Sequence, residues 1–357
     1  GSWAMQNHLP ALTGGEMVYG GGTLADHLPS GIDIVVTAIV DVEADRTAAA
    51  CAEFGIAHSY RTVEEMLAAH GAELDGVIVC SAHVTHYEHA LPVLSAGLPV
   101  LVEKPMTAVA SDARALVAAA AENNAELMVP CGWNFREFSE RAKELIAGGA
   151  VGRVEHVVCH MASSLEDLFA AKTDPIQAAT WADPARAGGY GWGQMSHSLA
   201  WVYEVSGLRP ASAFCFDGKS EVGVDYYDAA AVRCVSGATI SLSGAATIPG
   251  HVATADPDGH GFHLDVRIFG SEGVLSFDIE RERLEVRRRD GTDTFVPIEH
   301  GEGGYQCTEP VARFVRICGG EPSAEVGNSC SGDVGCAVVE TLDAMYRSAA
   351  SGSLETV

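Results

Sequence analysis

Three short apolar runs punctuate residues 34–102, each ending in a polar turn and followed by a helical pattern. This rhythm restricts the fold more than any other feature of the chain. Ile34–Val40 is β-branched and stops at Asp41, while Gly76–Cys80 and Pro99–Val102 are continuous apolar stretches, the last leading straight into Glu103-Lys104-Pro105. Strands without an alternating polar face are covered on both sides, as in parallel sheets. The intervening segments predict helices: Ala-rich Glu43–Phe54 stopped by Gly55, Met66–Ala69 behind the capping box Thr62-Val63-Glu64-Glu65, His86–Ala96 stopped by Gly97, and Ser111 to about Ala120. Pro92 conflicts locally with the third of these. Strand and helix in alternation predict a parallel α/β sheet with helices on both faces.

Beyond about residue 130 the pattern changes. Arg136–Ala147 is helical. Val154–Met161, Ala229–Val235, Thr239–Ser243, His263–Phe269, Val274–Phe277 and Leu284–Arg289 then alternate apolar with polar residues. Such consecutive strands predict a large, mostly antiparallel sheet, open on its polar face to solvent or to another subunit, before a closing helix at about Gly335–Ser348. With 357 residues the chain exceeds one ordinary core, so two domains are expected, 1–127 and 128–357. No apolar run approaches the roughly 18 residues of a membrane span. A formal charge of −26 would be repelled by nucleic-acid backbones and anionic membranes, so neither is an expected partner. The ten cysteines form no CxxC pair and no zinc-type spacing with histidine, so no metal is expected. Several lie in apolar runs, as buried reduced thiols do, which points to a reducing cytoplasm.

The first residues read as half of a phosphate-binding loop. A dinucleotide loop runs G-x-G-x-x-G/A between strand and helix, its small residues letting pyrophosphate approach backbone N–H groups. If Gly1 is the second glycine, Ser2 and Trp3 fill the variable places and Ala4 is the third small position. Met5–Leu12 is then the first helix, and the first strand and glycine lie upstream. Cloning residues at Gly1-Ser2 are the competing reading. Asp41 stands where an acid binds the adenosine ribose, and its carboxylate disfavours a 2′-phosphate, so NAD is expected over NADP. The connection to it is long, with a Gly-rich insertion at Thr13–Ser30, and a solvated-turn role for Asp41 remains the alternative.

In order along the chain come Ser2-Trp3-Ala4 through His8, Val36–Asp41, Ser81-Ala82-His83-Val84-Thr85-His86, Glu103-Lys104-Pro105-Met106 and Gly132-Trp133-Asn134-Phe135-Arg136. Gly188–His197, Gly270-Ser271-Glu272-Gly273 and Tyr346–Gly352 follow. This ordered set resembles the Gfo/Idh/MocA oxidoreductase family over nearly the whole chain. The resemblance implies a Rossmann-type dinucleotide-binding domain and an α/β domain with a large open sheet for substrate binding and oligomerisation. It implies NAD, or NADP, at the strand ends and a polyol, sugar or cyclitol between the domains. It places Lys104 near the nicotinamide and makes His197 the acid/base partner. Glu103 then orients Lys104 or contacts the nicotinamide side, and Ser81, Ala82 and His86 fall in the cofactor-lining loop.

The chemistry asks for such groups, because hydride transfer requires a proton to leave or join the oxygen. Imidazole titrates near neutrality, and a desolvated lysine gives up its proton more readily. Trp181, Tyr190 and Trp192 suit the C–H faces of a sugar ring, Gln194 a hydroxyl, and Arg136 an anion. Two departures from the family pattern stand out: Gly193 where an acid often precedes the histidine by four residues, and Ser81-Ala82-His83 in place of a Thr-Pro-Asn-type loop. The expectation is reversible oxidation of a secondary alcohol by a homodimer or homotetramer. The rivals are a glycosidase or lyase that retains NAD through transient oxidation, and a non-redox binding protein on the same scaffold.

Overall fold

The computed structural model describes residues 3–18, 22–173, 179–248 and 262–357. Gly1 and Ser2, two of the expected cofactor contacts, lie outside the described residues. The chain forms two units, each discontinuous in sequence. The first comprises Gly1–Thr107, Ser111–Gly132 and Tyr305–Gly332; the second comprises Ala108–Ala110, Trp133–Gly304 and Asp333–Val357. This corrects the simple division at 127/128. Residues 305–332 return to the first unit because the Thr308–Cys318 helix carries Val311 and Ala312 into a cluster with Ala11, Met17 and Leu24.

In the first unit the expected parallel sheet takes the form of two ladders. β1 (Ala38–Val40) pairs with β2 (His58–Tyr60), and β4 (Val100–Val102) lies between β3 (Val77–Val79) and β5 (Leu127–Met128), all parallel. Only the last three residues of Ile34–Val40 form strand, because their partner is itself three residues long. Fully buried Val-Leu-Val explains β4. The helices fall where the sequence puts them. Gly55 caps Ala44–Phe54 in the left-handed conformation at φ 69°. Thr62 accepts Glu65 N–H at 3.2 Å, while the Glu65 carboxylate reaches one residue further back, to Arg61 N–H at 3.1 Å. The His86–Ser95 helix continues through Pro92, and Glu88, whose carbonyl loses that donor, is exposed to water. A π-helical turn, Ala4–His8, runs into helix Leu9–Leu12. Leu9 packs with Ala50 and Ile56 on one side, while Ala11 packs with Val311 on the other.

The second unit is built on a nine-stranded sheet. Its strands are β6 (Val154–Ser163), β7 (Pro210–Lys219), β8 (Asp225–Cys234), β9 (Thr239–Ala245), β10 (Phe262–Gly270), β11 (Gly273–Asp278), β12 (Arg283–Arg288), β13 (Thr294–Pro297) and β14 (Glu355–Thr356). They lie in the order β13-β12-β11-β10-β6-β9-β8-β7-β14, antiparallel except for the β6–β9 pair. One face buries Val157, Cys159, Met161, Val266, Ile268 and Phe277. Helices Glu137–Ala147 and Ser196–Ser206 cover it, with Phe138 and Trp201 stacked on Phe277 at 5.1 and 4.6 Å. Helix Gly332–Ser351 adds Tyr203–Thr341 and Cys215–Ser348 hydrogen bonds. Val158, Phe216, Tyr227, Phe269 and Phe295 stay exposed among polar neighbours. Among the described residues, no helix is long and apolar enough to cross a membrane.

Candidate active site

In the first unit the chemistry gathers at the end of β4. Glu103 extends the ladder by donating its N–H to Val79 O at 2.8 Å. Its carboxylate, with the residue only 8% exposed, meets His8 Nε2 at 2.8 Å and accepts Lys104 N–H at 3.1 Å. Burial works against the charge on Glu103. The His8 hydrogen bond and the nearby Lys104 outweigh it and hold the carboxyl below its ordinary range. Lys104 is buried as well, and burial drives its ammonium below the usual lysine range, opposed by the Glu103 charge. A lysine so desolvated gives up its proton more readily than an exposed one. His8 lay inside a family-like segment without an assigned role; its partner is 95 residues away, which local reading does not reach.

The loop after β3 is an internally bonded turn. Ser81 Oγ bonds His89 Nδ1 and accepts from Thr85, both at 2.9 Å, and Ala82 O accepts Thr85 N–H. His86, expected in the cofactor-lining loop, lies beneath that turn. It is fully buried, with Nδ1 2.9 Å from Pro105 O and Nε2 3.2 Å from Ser81 O. Burial lowers its pKa despite these carbonyls, and the neutral ring, with a single N–H, donates to one of the two.

Asp41 lines a small cleft together with Ala4, Met5, Leu9, Ile39, Arg46, Thr47 and Ala50. Its carboxylate accepts Glu43 N–H at 3.0 Å and pairs with Arg46 at 3.1 Å. The structure therefore brings Ala4 and Asp41 together. Trp3 is the N-terminal residue of the same helical segment, its carbonyl accepting from Asn7. A small residue at a helix start beside a carboxylate at a strand end fits pyrophosphate and ribose.

In the second unit His197 sits in the first turn of Ser196–Ser206, 4% exposed, edge-on to Trp133 at 5.8 Å. Trp133 is fixed in turn by donating its indole N–H to Gly303 O at 3.1 Å. A π-helical turn, Gly191–Met195, leads into the helix and carries Gln194, itself 8% exposed. Gly193 is glycine for a visible reason: a Cβ there would lie 2.6 Å from the Trp181 ring, which packs on Phe169 and stays partly exposed.

Three of the expected substrate contacts are engaged within the second unit. Tyr190 is fully buried, packed on Phe169 and donating to Met161 O at 3.2 Å. Trp192 is stacked on Tyr346 at 5.4 Å and 7°, only 7% exposed. Both are therefore interior packing. Arg136 donates to Glu302 O at 2.8 Å, its side chain 12% exposed, and is engaged within the protein. Two residues not anticipated, Asp225 and Tyr346, hold the glycine-rich turn. Asp225 accepts Gly191 N–H at 2.7 Å and the Tyr346 hydroxyl at 2.7 Å, while Tyr346 accepts Trp192 N–H at 3.3 Å. The repeated glycines at 188, 189, 191 and 193 were the available signal that something fills that space. Among the described residues, no group of three His, Cys, Asp or Glu is arranged to hold a metal.

Residues 9–130 match the family described as "Oxidoreductase family, NAD-binding Rossmann fold", and residues 139–276 match "GFO/IDH/MocA C-terminal domain". The uncharacterized oxidoreductase sll0816 of Synechocystis sp. is 25% identical over 226 residues, 62% of this chain and 58% of that protein. That match therefore spans little more than half its length. Inositol 2-dehydrogenase of Rhizobium meliloti is 27% identical over 301 residues, 81% of this chain and 82% of that protein. Among solved structures, levoglucosan dehydrogenase in complex with NADH and levoglucosan has a TM-score of 0.68 at 20% identity, covering 90% of this chain and 89% of that one. A parallel α/β unit followed by a unit built on a large sheet, with matches to both family domains, defines the class of two-domain dinucleotide oxidoreductases. The chain belongs to the Gfo/Idh/MocA family, and its first unit contains an NAD-binding Rossmann domain.

Proposed function

We propose that the protein is an NAD(P)-dependent dehydrogenase or ketoreductase acting on a secondary alcohol of a sugar, glycoside or cyclitol. The observation that carries this reading is Lys104, buried at the end of β4 beside a Glu103 carboxylate kept charged by His8. Held at Ala4 and Asp41, a dinucleotide would supply the hydride-transfer chemistry. The hydroxyl proton must then leave, and Lys104 and His197 are the groups assigned to take it; in reduction they return it. Asp41 holds the adenosine ribose, Ala4 admits the pyrophosphate, and Gln194 and Trp181 contact the substrate. The matches to inositol 2-dehydrogenase and levoglucosan dehydrogenase, as those proteins are named, support a polyhydroxylated ring as substrate. The exposed Phe216, Tyr227 and Phe295 fit the expected homodimer or homotetramer, which sedimentation measures.

The test is reduction of NAD and NADP by a panel of myo-inositol, levoglucosan and methyl glucosides, with Lys104→Ala and His197→Ala alongside. Each substitution is expected to lower kcat by about 10²–10⁴ while dinucleotide binding persists. Equal turnover without the lysine would remove it from the mechanism. Cofactor that co-purifies and never turns over in net terms would favour the retained-NAD rival. Failure to bind either dinucleotide in calorimetry would favour the binding-protein rival.

A further inference from the structure

Two buried carboxyl groups lie beneath the turn that delivers His197. Asp225 and Asp228, both on β8, are 2% and 4% exposed, and both lie against Tyr346. Carboxyl groups buried this close together disfavour a second charge, so one keeps a proton. Asp225 is committed outward, to Gly191 N–H and the Tyr346 hydroxyl, and Tyr346 takes the next amide, Trp192 N–H. Two successive backbone donors at the entry to the His197 helix thus end on Asp225, one directly and one through a phenol. The backbone is cut to fit: a Cβ on Gly189 would fall 2.0 Å from Asp225 Oδ1, and one on Gly191 would fall 2.7 Å from the Tyr346 oxygen. Asp228 Oδ2 is buried without a hydrogen-bond partner. Asp228 also lies among Asp217, Cys215 and Tyr346. Across the ladder its register partner is Asp217, another acid.

We propose that Asp225, sharing one proton with Asp228, is the positioning residue that fixes the Gly189–Met195 turn and, through it, the imidazole of His197. The pair then carries a single charge, enough to accept both donors. A second charge would sit in a site without bulk water, directly opposite Asp217. The titratable groups facing Asp228 are Asp217 and Cys215 on β7, Asp225 on its own strand, Tyr190 in the turn and Tyr346 on the closing helix. Lys219, exposed, lies 3.6 Å from the Asp217 carboxylate. Burial first, then Asp225 and Asp217, hold the Asp228 carboxyl well above its ordinary range. The ordered turn therefore keeps a proton that the open turn releases above about pH 4. Its stability falls as pH rises from there towards the raised value.

The inference relies on the proposed function only in calling His197 a proton carrier; the measurements below need no substrate. Hydrogen exchange is followed at residues 188–199 in the intact chain from pH 5 to 8, together with the His197 ring titration by NMR. In the wild type, protection at Gly191 and Trp192, corrected for intrinsic rates, should drop by up to about tenfold per pH unit. Asp228→Asn, isosteric with the protonated acid, should remove that slope while keeping protection. Asp225→Asn should cut protection more than about tenfold at pH 6 and move the His197 midpoint, and Tyr346→Phe should cut it about fivefold, as for one lost hydrogen bond. Equal slopes in wild type and Asp228→Asn would overturn the shared proton. A lower melting temperature in Asp225→Asn with an unmoved His197 midpoint would reduce Asp225 to general stability and overturn the positioning role.

Discussion

A carboxylate withdrawn from water keeps its charge only if other groups supply the hydrogen bonds that water gave up. At Glu103 those are the His8 ring and the Lys104 amide. Replacing His8 with Leu leaves a buried charge half-satisfied, and a loss of about 1–3 kcal/mol is expected at neutral pH. Because the Glu103 carboxyl is held below its ordinary range, that contribution is present above the unfolded-state pKa and disappears as pH falls through the folded one. Urea melts of wild type and His8→Leu should therefore converge under acid. A constant gap from pH 7 to 3 would show that His8 acts through packing. Asp41 and Lys104 were legible because each ends an apolar strand. The side chains paired around them, Arg46 with Asp41 and His8 with Glu103, were not, since pairing depends on where helices come to rest.

At the scale of elements, buried runs and stop residues were legible, and β1, β3, β4 and the helices around them fall within a few residues of expectation, whereas β2, β5 and the Thr308–Cys318 helix were not anticipated. The π-helical turn Gly191–Met195 has no such signature. β7 hid behind Asp217-Gly218-Lys219, and β13 is a four-residue edge. Tyr190 and Trp192 look the same in sequence whether they face a sugar or a neighbouring ring; only the positions of Phe169 and Tyr346 decide. Gly193 is the sharpest case, because Trp181 already occupies the space a side chain needs. Gly193→Asp is expected to destabilise by about 1–3 kcal/mol through overpacking, and Trp181→Ala in the same chain should recover much of it. Thermal melts of the two single variants and the double variant measure the coupling; strict additivity would show that the two residues do not compete.

For the whole molecule, the sequence carried the division into a parallel α/β half and an open-sheet half, yet not the interleaving of the two. Nothing in Thr308–Cys318, an amphipathic helix like many others, says that its apolar side belongs with Met17 and Leu24. The pairing is a contact between residues nearly a chain apart. A fragment of residues 1–132 alone is therefore expected to show no cooperative melt by circular dichroism, and to acquire one on adding a peptide of residues 305–332. A sharp melt without the peptide would make the returning helix dispensable. The same return sets a timetable during synthesis. While the ribosome is still adding the open sheet, the opening helix has only its Leu9 side satisfied and must keep Ala11 waiting. The first half to be made is thus the last to be finished, and nascent chains halted before residue 305 would be the ones that chaperones hold.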